Sequence, residues 1–580
     1  MAAPPDTGSP FDARLRLSVG VTAHRDLVAA EEPALRARVR HFFQQLRGDF
    51  PDLPLRLISA LAEGGDQLVA EVALDLGIEL VVPLPMSQRE YEKDFEDPAI
   101  LERFHRLLAR ARVRVLPLAP GLSHADIAVR GESRDRQYAQ LGMFISSHCQ
   151  LLLALWDGNP SDATGGTAQV VQFHIHNVMP GLSVEQVAPN LLADDESDLV
   201  YHLPCSRRLE AAMPAPADLQ PRWLTLAGSQ PVERRIPEHY RHVFGQMETL
   251  NRDMARYTAP MAASTWSLFD DRIPGAAPPV AIGVERLFHA ADWLAIHFQR
   301  RVRSSLLCTH AIAALMGLAF ILYSNVSMNP FFVEAFLLLF GLGVLLTMIG
   351  HRRQWQRKYL DYRGLAEGLR VQLYWRMAGV EPPPNSSLGY DSFLQKQDVD
   401  LSWIRHAMRG TGLLRDEFFR PDSAWLAWVV AHWIGDAEGA GGQLQYYQQG
   451  TRRRENAYHL TERMGAIALA GGLLGAIVLL IGGQKMGPGT QQQLMLVMGL
   501  LPFLAGIREA YSYKKADKEL IKQFHFMSRL FESCRGRLRL ANTEAQVRRL
   551  LLALGRACLE EHAEWILLHR ERPLEHAQLS

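Results

Sequence analysis

The sequence predicts two parts. The first is an α/β domain on a parallel sheet. The second is an all-α membrane domain with four transmembrane helices and cytosolic helical extensions. Three observations predict this. Apolar runs alternate with helical spacing up to residue 205, the pattern of a sheet covered by helices on both faces. Four apolar stretches of roughly membrane-spanning length follow. Arginines and lysines flank each pair of these stretches.

The first strand is expected over 14–21, where alternation gives way to an apolar run, and a polar loop follows at 22–26. Residues 31–43 have helical spacing. A second strand spans 55–61, a Gly-rich loop 62–66 and a helix 67–76. A third strand at 78–84, a largely helical stretch at 91–110 and a fourth strand at 113–118 come next. A helix over 138–146 leads into the strand 151–156. That strand ends in Asp157-Gly158, with Gly165-Gly166-Thr167 opening a helix over 168–178.

Three strand-end loops therefore carry glycine and polar residues, and in a doubly wound sheet such loops share one edge. Gly20, Thr22, His24 and Arg25 belong to the first, Glu63, Gly64, Gly65 and Asp66 to the second. Asp157, Gly158, Gly165, Gly166 and Thr167 belong to the third. Glycines admit a phosphate to the backbone, and a helix N-terminus offers free N–H groups and partial positive charge. Thr22 and Thr167 would donate hydroxyls to phosphate, His24 or Arg25 would add charge, and Asp66 or Asp157 would accept ribose hydroxyls. His174 and His176, two apart on a helix, read as structural or surface histidines and not as metal ligands.

The set Gly20-Val21-Thr22-Ala23-His24-Arg25, Glu63-Gly64-Gly65-Asp66 and Asp157-Gly158 to Gly165-Gly166-Thr167 resembles the SLOG superfamily. That superfamily holds the DprA and Lonely Guy proteins, with a related domain in TRP-melastatin channels. The resemblance implies a Rossmann-like fold that binds nucleotides or their derivatives. Two positions depart from it. Ala23 stands where the family has glycine in the first loop, and Gln169 stands where the hydrolytic branch has glutamate. An amide cannot supply the carboxylate that N-glycosidic cleavage uses. Sensing is therefore favoured over turnover. If the domain is an enzyme, Asp157 or Asp66 would carry the carboxylate.

Composition narrows the partners. The 580 residues hold 62 Lys plus Arg and 62 Asp plus Glu, so no nucleic-acid partner is expected. The five cysteines, Cys149, Cys205, Cys308, Cys534 and Cys558, have no metal-ligand spacing and suit a reducing compartment. No metal and no required cofactor are expected. Residues 1–12 read as a disordered tail, 13–205 as the nucleotide-binding domain, and 206–283 as a linker containing a helix.

Residues 284–380 read as a helix, two spans (304–323 and 331–349) and a trailing helix. Residues 381–450 read as a cytosolic insert packed near the bundle. Residues 451–580 repeat the helix, two-span (464–483 and 494–507), helix plan. The trailing helices are expected at 353–377 and 511–540. The basic flanks put both outer ends of each hairpin, and both termini, in the cytosol. His310 within the first span is expected to face either a pore or a helix neighbour. Glu334 falls in the first turn of the second span. The small residues Gly465, Ala468, Gly471, Gly472 and Gly475 suit helix packing.

The segment Tyr362-Arg363-Gly364-Leu365-Ala366-Glu367-Gly368-Leu369-Arg370 after a two-span hairpin resembles the SLATT family. That resemblance implies a membrane effector of bacterial defence systems. The expectation is a multi-pass protein of the bacterial inner membrane, assembled as a homo-oligomer. It would bind a nucleotide-type small molecule and alter the permeability of the lipid bilayer around it. A membrane-tethered nucleotide hydrolase or glycohydrolase is the first alternative. A structural scaffold with a vestigial nucleotide-binding domain is the second.

Overall fold

The computed structural model describes residues 14–161, 163–179, 198–208, 220–231, 236–264, 266–269, 273–380, 401–413, 419–436 and 441–571. The chain divides into two compact units. One comprises residues 1–290, 365–422 and 555–563, the other residues 291–364, 423–554 and 564–580.

The first unit is built on an eight-stranded sheet. Its strands are β1 (Leu17–Ala23), β2 (Leu55–Ile58), β3 (Glu79–Leu84), β4 (Arg112–Val115), β5 (Leu151–Trp156), β6 (Val200–Pro204), β7 (Arg222–Thr225) and β8 (Gly228–Pro231). The order is β4-β3-β2-β1-β5-β6-β7-β8, parallel through β6 and antiparallel at β7 and β8. β1 and β5 are buried almost throughout, as strands covered on both faces must be. β4 lies at the edge and carries Arg112 and Arg114, charges that discourage pairing with another chain.

Helices α1 (Glu32–Asp49), α2 (Gly65–Asp75), α3 (Pro98–Leu108), α4 (Glu132–His148) and α5 (Thr167–His176) connect the parallel strands. α1 shows why they form: Leu35, Val39, Phe42, Phe43 and Leu46 make one buried stripe at helical spacing. α6 (Glu238–Arg256) follows the sheet. Its Asn251 accepts from Leu15 N–H at 2.8 Å and donates to Leu15 O at 3.0 Å, tying the helix to the chain entering β1.

Two expectations are corrected here. The stretch 206–283 is not simply a linker, since β7 and β8 lie within it. β7 is held by ladder bonds to β6 and by Trp223 packed edge-on against Tyr201 at 5.0 Å, and β8 pairs in turn with β7. Part of the 381–450 insert joins the α/β unit instead of the helix bundle. Its helix α10 (Ser402–Gly412) lies in that unit, and Leu413 enters the sheet core. Its carbonyls collect donors from the α/β unit: Gln150 Nε2 reaches His406 O in mid-helix at 3.1 Å, and at the C-terminal end Arg114 reaches Gly412 O at 3.4 Å and Leu413 O at 2.5 Å. The exposed carbonyls of a helix end attract such donors.

The remaining helices are α7 (Pro279–Asn325), α8 (Pro330–Arg353), α9 (Trp355–Ala378), α10, α11 (Ser423–Val429), α12 (Gly442–Gly482), α13 (Pro488–Lys515), α14 (Asp517–Leu538) and α15 (Glu544–Glu571). Among the described residues, four helical stretches are long and apolar enough to cross a membrane: Pro279–Asn325, Pro330–Ala378 (α8 with α9), Gly442–Lys485 and Pro488–Lys515. Their apolar windows are almost wholly exposed, with 17, 0, 11 and 0 % buried, which marks a membrane protein.

The small residues of α12 meet α13. A Cβ on Gly472 would lie 2.4 Å from Pro502 Cγ, and one on Gly471 3.0 Å from Leu501. The second trailing helix starts later than expected, because a left-handed residue, Ala516 (φ 54), ends α13. His310 is a helix contact: Nδ1 bonds Leu306 O at 2.8 Å and the ring meets Tyr511 edge-on at 5.4 Å. Glu334 is exposed near the start of α8.

Candidate functional site

The strand order reverses direction between β1 and β5, and the loops leaving their carboxyl ends meet there. His24 follows β1. Its N–H donates to Leu155 O at 3.0 Å, and its carbonyl accepts from Gly65 N–H at 3.1 Å. One residue therefore joins the first loop to both the second and the third. Its side chain adds to this, since Nε2 lies 3.1 Å from the Asp157 carboxylate and 3.1 Å from the Asp157 N–H. Nε2 can accept the N–H or donate to the carboxylate, and it cannot do both. Burial pushes the Asp157 carboxyl up, but the Asn159 N–H and His24 overcome this and hold it below the ordinary aspartate range.

Arg25 is exposed, and its guanidinium sits 5.5 Å over the Tyr138 ring. Gly165 approaches the same residue of α4, since a Cβ there would lie 2.7 Å from Ala139 N and 3.0 Å from Tyr138 Cβ. The first and third loops thus converge on Tyr138. Its hydroxyl donates to Asp94, which also pairs with Arg134 at 2.9 Å. Tyr91 bonds Ala60 O at 3.3 Å alongside. Burial pushes the Asp66 carboxyl up to about 7, although Arg25 and a backbone bond from Ala62 draw it down.

Sequence reasoning missed the Tyr91, Asp94, Arg134 and Tyr138 network. Arg134 and Tyr138 sit four apart on α4, but that helix begins six residues before the expected 138. The one available signal was a polar i, i+4 pair in a stretch read as loop.

The site residues named from the sequence divide into two groups. His24, Arg25, Asp157, Gly158, Gly165, Gly166 and Thr167 lie at the switch point, with Glu63 half-buried in the neighbouring turn. Gly20, Thr22 and Asp66 do not offer free surface. Gly20 lies inside β1, where a Cβ would sit 2.8 Å from Cys149 Sγ. Thr22 is buried in the same strand, and Asp66 is only 5 % exposed.

Gly64 and Gly65 serve loop packing. Gly64 (φ 81) places its α face against the carbonyls of Arg25 and His24, where a Cβ would come within 2.3 Å. At Gly65 a Cβ would come 2.4 Å from that of Ala23. His174 is structural, with Nδ1 against Ser146 Oγ at 2.7 Å and Nε2 against Leu199 O at 3.2 Å.

The helix start at Gly166 has no side-chain cap. Gln169, in place of the expected acid, turns its Oε1 back to accept the Gly165 N–H at 3.0 Å. That bond shapes the glycine turn.

No family model matches the chain, and no curated protein matches it. What the fold and the site define is a class: a membrane protein carrying a Rossmann-like, mostly parallel α/β sheet.

Proposed function

We propose that the strand-end loops at β1 and β5 bind a phosphate-bearing, nucleotide-type ligand, and that binding biases a membrane effector that alters permeability. The observation that carries this is the convergence of three loops on His24 at the switch point, beside Arg25 and the uncapped start of α5. Such a start holds N–H groups with no helical acceptor, and arginine is the side chain best matched to phosphate. A ligand acts on the effector only by preferring one conformation. The sequence resemblances to the SLOG and SLATT families are the ground for proposing bacterial defence or stress signalling as the setting. On this reading the protein is a multi-pass homo-oligomer of the inner membrane with both termini in the cytosol.

The test uses full-length protein in detergent and in liposomes, with NAD, ADP-ribose and nucleoside mono- and diphosphates. The expected result is a ligand-dependent rise in Tm and leak of ions or dye. A nucleotide that binds without leak removes the effector half. No shift with any nucleotide removes the sensor half and favours a scaffold with a vestigial domain. The His24–Asp157 pair favours a second reading, a membrane-tethered nucleotide hydrolase or glycohydrolase. Turnover that is lost in Asp157→Asn would decide for it.

A further inference from the structure

The amino ends of β1, β2 and β3 border a cleft of about 480 Å3 at the edge of the sheet opposite the loops described above. Arg16, Arg47, Arg110 and Glu79 line it, together with apolar groups that include Leu53 and Ile78. Arg47 Nη2 donates to Leu76 O at 2.9 Å, and Arg110 Nη2 donates to Leu74 O at 3.5 Å. These carbonyls belong to the C-terminal end of α2, so both arginines cap that helix. Capping occupies one nitrogen of each guanidinium. It also fixes two forks in place with N–H donors to spare. Among the described residues, neither Arg47 nor Arg110 has a carboxylate partner.

The surrounding charge is lopsided. Glu79 is held by Arg56 at 2.9 Å, Arg112 at 3.2 Å and Arg16 at 3.3 Å. Burial holds Arg56 below the usual arginine range against the pull of Glu79, and the like charges of Arg16 and Arg112 push the same way. The guanidiniums of Arg16, Arg56 and Arg112 therefore converge on Glu79, and Arg16 and Glu79 line the cleft together with Arg47 and Arg110. Clustered like charge costs free energy that a bound anion recovers. Planar forks select oxyanions that accept two hydrogen bonds at once, phosphate above all.

We propose that this cleft is a second anion site, taking a phosphomonoester or pyrophosphate group independently of the switch-point loops. A free phosphate ester and an anionic lipid headgroup offer the same chemistry, and the experiment separates them. Inorganic pyrophosphate is titrated calorimetrically into full-length protein in neutral detergent at low ionic strength. Saturable binding is expected, weakened about tenfold or more in the Arg47→Gln/Arg110→Gln double variant. It should be unchanged in Arg40→Gln, a half-buried α1 arginine paired with Asp75 and not among the residues that line the cleft.

Circular dichroism checks that the substitutions leave the fold intact. The titration is then repeated in nanodiscs with and without phosphatidic acid. Equal affinity assigns a soluble anion to the cleft, and affinity lowered by phosphatidic acid assigns the lipid headgroup. The proposal is overturned if pyrophosphate does not bind. It is equally overturned if binding survives the double variant and is lost instead in Arg25→Gln, which would place the anion at the switch point.

Discussion

Replacing Asp66 by asparagine should stabilise the α/β unit above neutral pH and leave it unchanged near pH 4. Asp66 lies in the first turn of α2, 5 % exposed, and burial raises its carboxyl from 3.8 to about 7. Between those values the folded chain keeps a proton that the unfolded chain has released. Stability therefore falls as pH rises from about 4 to about 7, and is level above that. A shift of roughly three pH units at 1.36 kcal/mol each sets a ceiling of about 4 kcal/mol. Asparagine copies the size of the protonated acid and cannot ionise.

The assay is hydrogen exchange of peptides covering residues 55–75 in the full-length protein, variant against parent at the same pH. Protection in Asp66→Asn should exceed the parent's at pH 8 by somewhere between roughly tenfold and a thousandfold, and match it near pH 4. Loss of protection at pH 8 would refute the reasoning. It would mean that the ionised carboxylate, held by Arg25, supports the fold.

Three further outcomes follow from named contacts. Gly64→Ala combines φ 81 with a Cβ 2.3 Å from Arg25 O and should cost roughly 2–4 kcal/mol, read as a fall in Tm; an unchanged Tm would remove the loop-packing role. Gly166→Val, at φ −73, adds a side chain where only Ala163 O is close, at 3.0 Å. It should abolish nucleotide binding while membrane insertion stays intact, and full binding would move the ligand away from α5. Gly472→Leu cannot seat Pro502 and should loosen the α12–α13 pair, read as faster protease cleavage of the hairpin; unchanged cleavage would show that the contact is dispensable.

The legible part of the fold was the part with strong local signals. β1, β2, β3 and β5 are apolar runs, and glycines close two of them, Gly64-Gly65 after β2 and Gly158 after β5; both signals are local in sequence. β6, β7 and β8 carried no such signal. Their four or five residues depend on a neighbour already in place, as Trp223 depends on Tyr201. α10 illustrates the same limit at longer range. Nothing in residues 402–413 states that Arg114 and Gln150, more than two hundred residues earlier, will bond its carbonyls.

At the candidate site the convergence of loops was legible, but the work of the glycines was misassigned. Gly20, Gly64, Gly65 and Gly165 each face protein at distances no Cβ tolerates, so their presence is explained without a ligand. The case for a ligand passes to side chains and helix start: His24, Arg25, Asp157 and the N-terminus of α5.

The same distinction between pattern and cause applies to the two membrane hairpins. Their resemblance to each other goes beyond hydropathy. In each, a long helix ends in a short turn, and the next helix opens on proline, Pro330 or Pro488. Proline at that place loses no hydrogen bond and has its φ already set. Each second helix carries basic residues in its last turn, Arg352 and Arg353 or Lys514 and Lys515, and each stops at one left-handed residue that is not glycine. Those residues, Gln354 (φ 50) and Ala516 (φ 54), have a conformation that costs about 1 kcal/mol or more for an L side chain. A cost met twice at matching positions argues that the break itself is specified. The cations then lie where the helix C-terminus and the membrane–water boundary both favour positive charge, and α9 or α14 restarts one residue later. Two copies of one hairpin plan account for this pairing of proline start, basic exit and left-handed break more simply than two independent origins.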